Sequence, residues 1–379
     1  MRSLLILPLA MSISAAQAVE WNGRVDLDAR VFPAAASGTI ESTQGMNVTL
    51  EGFQDLGDHR AVVELVGRYD RRDSGRRSLE ARQAYLRFLV GEGDVFIGHR
   101  QTFWGTAESA NPVDLINQSD GAAQDGKEAK LGAPSVSYEQ DLDVGLLQLW
   151  YMPHFRERTF NDADAHPSAG LPMAAAQFDR DRGANADDVA ARLSTYAGDW
   201  DLAFSAFHGT ARDPILVVAG GSVTPTYPRL KSLGLEAQYT GDASLWKFEV
   251  LSGEQSGDDV LAAVGGVEYT LYGLAGRVWD LGLIAEVSRD DRPQATADQM
   301  NTLGGRLTLN DTQDTSVLVL ASRDADNEQS FYSVEATRRI TKTSSLSLEG
   351  RWYDADRPTL PLGVLADDDE LRMRFSVFF

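Results

Sequence analysis

The chain has 379 residues, a formal charge of −21, no cysteine, 43% hydrophobic residues and 24% charged residues. Its 56 acidic residues outnumber the 35 basic ones, which argues against a nucleic-acid-binding protein, because such proteins present a basic patch or stripe. The lack of cysteine excludes disulfides and thiolate chemistry. A mean hydropathy of −0.27 excludes a bundle of membrane helices. The composition therefore predicts a large, acidic, ordered protein.

Residues 1–18 have the pattern of a secretory signal peptide. A charged start at Arg2 precedes the apolar stretch Leu4–Ser14, and the segment ends in Ala16-Gln17-Ala18, which is an A-x-A cleavage site. The apolar stretch is shorter than the roughly 20 residues that span a bilayer, so cleavage is favoured over a membrane anchor. We therefore expect export, with residues 19–379 forming a single mature domain.

The first mature segment alternates in the manner of a β-strand. Apolar residues at Val25, Leu27 and Ala29 alternate with charged residues. Because successive side chains of a strand point to opposite faces, one face is apolar and the other is charged. The apolar face would contact a second sheet in a soluble sandwich and lipid in an outer-membrane barrel. Alternation alone does not distinguish the two.

The same pattern continues along the chain and predicts eighteen strands, with sixteen as the alternative count. They lie near 20–32, 45–54, 60–70, 78–90, 94–100, 134–141, 144–153, 188–197, 200–209, 229–240, 244–253, 261–276, 280–288, 300–310, 315–323, 330–341, 344–353 and 369–379. Connectors after even-numbered strands are short, such as Gly198-Asp199, whereas most others are longer, above all those near 101–133 and 154–187. Barrels with short periplasmic turns and long outer loops show this alternation. We therefore predict an all-β, transmembrane, antiparallel up-and-down barrel.

Two further features favour a barrel. The last strand alternates from Leu371 onward and ends on Phe379, which resembles the closing strand of Gram-negative outer-membrane barrels and implies recognition by the barrel-assembly machinery. Six tryptophans lie near predicted strand ends, where amphipathic rings favour the membrane interface. They are Trp21, Trp150, Trp200, Trp246, Trp279 and Trp352. We expect contact with outer-membrane lipid and lipopolysaccharide.

The loop near 101–133 is the candidate filter. Apolar residues such as Trp104, Val113 and Ile116 need burial that a fully solvated loop would not give them. We therefore expect this loop to fold into the lumen and pack on the wall; a lid outside the mouth is the alternative. Its charged residues would then face or adjoin the passage. They are Glu108, Asp114, Asp120, Lys127 and Lys130.

Because side chains alternate between the two faces of each predicted strand, further charges fall on the inner face. The second long loop contributes two more charged candidates, both arginines. These charges would bias which solutes pass, or would join neighbouring strands as ion pairs. The two arginines would bind anions or lipopolysaccharide phosphates, or pair with Glu157 and neighbouring strands. The candidates are Arg156, Arg158, Lys247, Glu249, Glu268, Arg306, Glu335, Glu349 and Arg351. The acidic cluster Asp367–Glu370 lacks the ligand spacing of a calcium loop, so no metal or other cofactor is predicted.

Catalytic motifs are absent from the sequence. There is no G-x-S-x-G elbow and no H-E-x-x-H pair. The histidines are scattered, and His208 near Asp213 is more typical of a structural histidine than of a catalytic one. The sequence therefore predicts a protein that is not an enzyme.

The mature chain resembles the porin-like outer-membrane barrels of Gram-negative bacteria. Five blocks more narrowly resemble a little-characterised proteobacterial barrel family that is similar to the barrels found alongside RND-type exporters. These blocks are Phe103–Ser109, Val113–Gln118, Lys130–Gly132, Phe155–Phe160 and Gly209–Pro214. The porin resemblance implies a channel filtered by lumen charges and loop 101–133. The narrower one implies, as the alternative, export of lipids or hydrophobic compounds with periplasmic partners, and both leave monomer and oligomer open.

An apolar lumen patch or a gap between strands would favour export. A continuous charged lumen would favour the channel.

Overall fold

The computed structural model describes residues 19–36, 38–123, 130–168 and 170–379. The predicted signal peptide, residues 1–18, lies outside them. Eighteen strands, numbered β1 to β18 in chain order, form one sheet. They are β1 (Glu20–Val31), β2 (Ser42–Leu56), β3 (His59–Asp70), β4 (Ser78–Val90), β5 (Gly93–Arg100), β6 (Ala133–Leu142), β7 (Gly145–Met152), β8 (Asp188–Ala197), β9 (Trp200–Thr210), β10 (Arg229–Thr240), β11 (Ser244–Gln255), β12 (Asp258–Leu271), β13 (Asp280–Asp290), β14 (Gln299–Thr308), β15 (Ser316–Asp324), β16 (Gln329–Thr341), β17 (Ser344–Ala355) and β18 (Glu370–Phe378). No helix in these ranges is long and apolar enough to cross a membrane.

The sheet closes on itself. Each strand pairs antiparallel with the next, and β1 pairs with β18 from Arg24↔Phe378 to Val31↔Leu371. Beyond the last strand, the Gly23 N–H donates to the Phe379 carbonyl at 2.7 Å, and the Phe379 N–H donates to the Gly23 carbonyl at 2.9 Å. Closure leaves no unpaired strand edge. The predicted antiparallel barrel and its count of eighteen strands are therefore confirmed.

The two faces of the wall are inverted relative to a soluble protein. Leu27 is 53% exposed on the outside, while its neighbours Asp26 and Asp28 are 1% and 6% exposed on the inside. The same inversion occurs in β18, where Met373 is exposed and Arg372 is buried. A soluble sandwich would bury the apolar face, whereas a transmembrane barrel presents it to lipid. The structure therefore has the arrangement of a transmembrane barrel.

Aromatic residues line the outer wall at strand ends. Trp21, Trp200 and Trp246 are all about half exposed at the starts of β1, β9 and β11. We call this end of the barrel the turn end. The first strand begins there, at Glu20, and the last strand ends there, at Phe378. Trp150 behaves differently, because it points inward and is buried. Its interpretation as an interface aromatic is wrong, since it packs under a loop inside the barrel.

A few boundaries and connectors differ from the predicted pattern. Strand β12 ends at Leu271 rather than near 276, because Gly273 takes a left-handed conformation with φ of 66° and a 3-10 turn, Leu274–Gly276, follows. At the opposite, loop end, β11 and β12 are joined by the short turn Ser256-Gly257. The other loop-end connectors are mostly long, and one of them contains a hairpin, Ile215–Ala219 with Ser222–Tyr227.

The outward face predicts a large cost for a charge at mid-strand. Leu303 on β14 is 66% exposed on the outer wall, so Leu303→Arg should lower the free energy of unfolding from lipid vesicles by about 2–4 kcal/mol. Urea titration of the refolded barrel measures this. Thr337→Arg, on the inner face of β16, is the control and should have a much smaller effect. Equal losses at the two positions would contradict the assignment of faces.

Candidate functional site

The connector between β5 and β6, residues 101–132, is the inner loop. Residues 124–129 of this loop, including the candidate Lys127, lie outside the described residues. Arg100 and Ala133 pair directly at its two ends, so a short turn could join the strands. The barrel therefore does not need so long a loop in order to close.

The inner loop packs on an apolar patch of the inner wall. Trp104, Val113 and Ile116 are almost completely buried, as the sequence predicted from their need for burial. The wall residues in this cluster come from strands β6 to β12 and are Ala133, Trp150, Met152, Ala190, Phe207, Leu230, Leu251, Val260 and Ala262. Contact between the two surfaces removes both from water and stabilises the loop inside the barrel.

A buried wall carboxylate, that of Glu249, anchors the tip of the inner loop. Its Oε1 atom accepts hydrogen bonds from the backbone N–H groups of Thr106 at 2.5 Å and Ala107 at 2.8 Å. It also accepts one from Asn111 Nδ2 at 2.9 Å. Hydrogen bonds to an ionised acceptor are stronger than those between neutral groups. The candidate Glu249 therefore holds the loop rather than contacting a solute.

Two more glutamates extend this anchoring along the wall. Glu236 on β10 accepts from the Gly105 N–H at 3.0 Å. Glu286 on β13 accepts from the N–H groups of Glu108 at 2.8 Å and Ser109 at 2.7 Å. Glu236 is in turn held by Arg192, whose Nε and Nη2 atoms each lie 2.9 Å from its oxygens. The loop tip is thus anchored on three strands, β10, β11 and β13.

A chain of charges lies beside the loop tip. Glu108 is bonded to Arg306 at 3.0 Å, and Arg306 lies 3.9 Å from Glu268. Lys247 lies 3.8 Å from the same glutamate. Arg306 remains 37% exposed and Glu108 22% exposed, so both groups contact solvent in the lumen. The structure brings these four sequence candidates together.

A second group of candidates lies on β16 and β17. Glu335 is exposed on the inner face opposite Glu349 in the strand register. Arg351 lies 3.4 Å from Glu349 and 3.9 Å from Glu370. The contact of Arg351 with Glu370 joins β17 to β18, whereas Glu335 and Glu349 place like charges opposite each other on β16 and β17.

Two acidic candidates of the inner loop are buried in ion pairs. Asp114 lies 3.0 Å from Lys130 and its side chain is 4% exposed. Asp120 is bonded to Arg68 and also accepts from Thr159 Oγ1 at 2.5 Å. The expectation placed both carboxylates toward the passage; the structure instead uses them to tie the loop to itself and to the wall, because a buried charge requires a partner.

The arginines of the second long loop also have protein partners. Arg156 is bonded to Glu80 and lies close to the backbone carbonyl of Ala81. Arg158 lies 3.3 Å from Asp213 and is about one third exposed. Of the two predicted alternatives, pairing describes both side chains, and neither pairs with Glu157.

The acidic cluster near the C-terminus is used in the same structural way. Asp368 is bonded to His166, Asp369 accepts from the Tyr353 N–H at 3.0 Å, and Glu370 lies 3.2 Å from Arg30. Burial raises the pKa of Asp368, while its bond to His166 acts in the opposite direction. In the described part of the chain, no group of three or more His, Asp or Glu side chains is arranged to hold a metal ion.

Sequence reasoning missed the anchoring role of Glu236, Glu286 and Arg192. Strand parity does place the two glutamates on the inner face. A usable signal lies in the loop itself, because the backbone N–H groups of Gly105-Thr106-Ala107 need acceptors once the loop packs inside the barrel.

Comparison with known proteins finds similar structures but no similar sequences. No protein-family model matches the chain, and no curated protein matches it. The structure is similar to that of Salmonella typhi OmpF in complex with daunomycin, with a TM-score of 0.50 and 10% identity over 95% of this chain and 97% of that chain. It is also similar to a mutant of the Rh. blastica porin, with a TM-score of 0.48 and 14% identity over 96% of this chain and 100% of that chain. At 10% identity, the likeness to OmpF shows a common barrel fold alone.

Proposed function

We propose that this protein is an outer-membrane channel of a Gram-negative bacterium that passes small hydrophilic solutes. The observation that carries the proposal is the inversion of the wall, with Leu27 exposed outside and Asp26 and Asp28 turned inside. Eighteen strands enclose enough space for an aqueous lumen. The signal-peptide pattern and the terminal Phe379 support export and assembly by the barrel-assembly machinery, with lipid and lipopolysaccharide around the wall.

The inner loop is the segment that selects which solutes pass. Its tip is bonded to Glu236, Glu249 and Glu286, which keeps it against the wall instead of over the mouth. The remaining passage would then run between this tip and the charged wall of β14 to β18. Glu108 and Arg306, which are exposed beside the tip, are the charges that a passing solute would meet first.

The alternative was a component of lipid export with periplasmic partners. It called for an apolar lumen patch or a gap between strands. Throughout the described wall, every barrel strand pairs with both neighbours, and the apolar patch around Phe207 and Leu251 lies in the same buried cluster as residues of the inner loop. These observations favour the channel.

Single-channel recording tests the proposed function. Residues 19–379 would be refolded and inserted into a planar bilayer, and the current measured in symmetric salt and then in a salt gradient. A steady conductance supports a channel. A correctly folded barrel that stays electrically silent would contradict it.

Charge at the loop tip should set the ion preference. Glu108→Gln removes the negative charge that partly neutralises Arg306, so the reversal potential in a salt gradient should shift toward anion preference. Arg306→Gln should shift it toward cations. Asp314→Asn, in an exposed turn bonded to Arg339, is the control and should leave it unchanged. Shifts in the same direction from the two tip variants would rule out the proposed filter.

A further inference from the structure

A cavity of about 490 Å³ lies on the loop-end side of the inner-loop tip. Ser109 and Asn111 of the tip line one side of it. Strands β12 to β17 supply most of the rest of its lining, together with Asp213 and the connectors 291–298 and 356–369. A volume of this order suits a small molecule, and the cavity lies above the proposed filter, where a solute would arrive from outside.

One side of the cavity is apolar and carries two aromatic rings. Phe331 and Tyr353 are register partners on β16 and β17, and their ring centroids lie 5.3 Å apart at 33°. Leu362 and Leu365 of the connector and Met300 of β14 extend this apolar lining. A passage for ions alone has no need for such a surface.

The polar lining of the cavity contains two acidic and two basic residues, Asp213, Asp290, Arg289 and Arg292, and so has no net formal charge. Arg292 donates two hydrogen bonds to the Asp290 carboxylate, from Nε at 2.8 Å and from Nη2 at 2.6 Å. Their side chains are 10% and 22% exposed. A paired arginine and aspartate offer hydrogen-bond donors and acceptors without an excess charge. The cavity is therefore suited to an uncharged solute with polar groups.

The loops around the cavity are fixed by buried amides. Gln329, which is 1% exposed, donates to the carbonyl of Thr296 at 2.9 Å and accepts from the Leu362 N–H at 3.0 Å. Gln255 and Gln294 exchange two hydrogen bonds of 2.8 Å and 3.1 Å. These contacts hold connectors 291–298 and 356–369 in place, which lowers the cost of ordering a binding site.

We propose that this cavity binds one ring of a neutral sugar, a pyranose, before it passes the inner loop; the inference rests on the proposed channel function. A solute with two apolar faces would dissolve in lipid and would not need an aqueous passage, and an ion would favour a lining with an excess of the opposite charge. A pyranose combines an apolar C–H face, which can lie on Phe331 and Tyr353, with hydroxyl groups that can reach Arg292 and Asp290.

Saturation-transfer NMR on the refolded protein in detergent micelles tests the site directly. D-Glucose is the probe, and D-sorbitol, which has the same carbon count but no ring, is its matched control. We expect saturation to reach the C–H protons of glucose and not those of sorbitol. Equal signals from the two compounds would overturn the sugar site, whether or not the protein conducts.

Variants locate the site. Phe331→Leu and Tyr353→Leu keep apolar volume but remove a flat ring, and each should weaken glucose binding roughly two- to tenfold, the range of one aromatic contact. Tyr353→Phe should retain most of the binding. Tyr332→Leu, on the outer face of the same strand, should leave it unchanged. Loss of binding in Tyr332→Leu, or none in the two inner variants, would contradict the assignment.

Single-channel recording separates this inference from the proposed function. In a conducting channel, glucose should lower the current more than an equal concentration of sorbitol. A barrel that binds glucose but carries no current would support the site and contradict the channel. A barrel that conducts and treats both compounds alike would support the channel and contradict the site.

Discussion

Deleting residues 106–128 should raise the single-channel conductance several-fold. The inner loop occupies part of a lumen that eighteen strands make wide enough for an aqueous channel. Because Arg100 and Ala133 are register partners, the remaining residues 101–105 and 129–132 can close the connection without strain on β5 and β6. Conductance follows the open cross-section of the narrowest segment, so removal of the loop tip should dominate the measured current.

A shorter deletion in another connector controls for general loosening of the barrel. Removing residues 217–222, the tip of the hairpin that Ile215–Ala219 forms with Ser222–Tyr227, shortens a connector that supplies none of the hydrogen bonds to Glu236, Glu249 or Glu286. Its conductance should match that of the full chain. If the 106–128 deletion also conducts like the full chain, the inner loop is not the narrowest part of the passage.

Local patterns predicted the barrel itself from the sequence. Alternation is a property of a few consecutive residues, so β1 and β18 could be read without knowledge of their partners. The left-handed Gly273 that ends β12 early is different, since the apolar Leu274 that follows it continues the strand pattern. Boundaries were therefore missed where a conformation, rather than a change in composition, ends a strand.

Contacts between distant segments limited the prediction of the site. The Gly105 N–H donates a hydrogen bond to Glu236, which lies 131 residues away in the sequence. No local sequence pattern predicts such a contact. The charge of Asp114 alone favours a place at the passage, although its partner in the structure, Lys130, lies in the same loop. The position of Trp150 near a strand end predicts an interface residue, whereas in the structure it packs in one buried cluster with the apolar residues of the inner loop.

Glu249→Ala should release the tip of the inner loop. The substitution removes the acceptor of two backbone N–H groups and of Asn111 Nδ2. Glu249 is completely buried, so donors left without an acceptor there cost about 1–3 kcal/mol each. A total on the order of 3 kcal/mol or more is comparable to the stability of a local segment. We expect currents that fluctuate between the level of the full chain and a higher level, and faster proteolysis within residues 101–132.

Two companion variants show whether the anchor acts through its acceptor. Glu249→Gln keeps one carbonyl oxygen in the same place, so its currents should fluctuate less than those of Glu249→Ala. Glu254→Ala removes a carboxylate from the outer face of the same strand, where it is 39% exposed and lies 3.4 Å from Arg229, and should leave the current steady. Steady currents in all three variants would mean that the apolar contacts of Trp104, Val113 and Ile116 suffice to hold the loop. The wall glutamates would then be needed only to satisfy the backbone of a loop already in place.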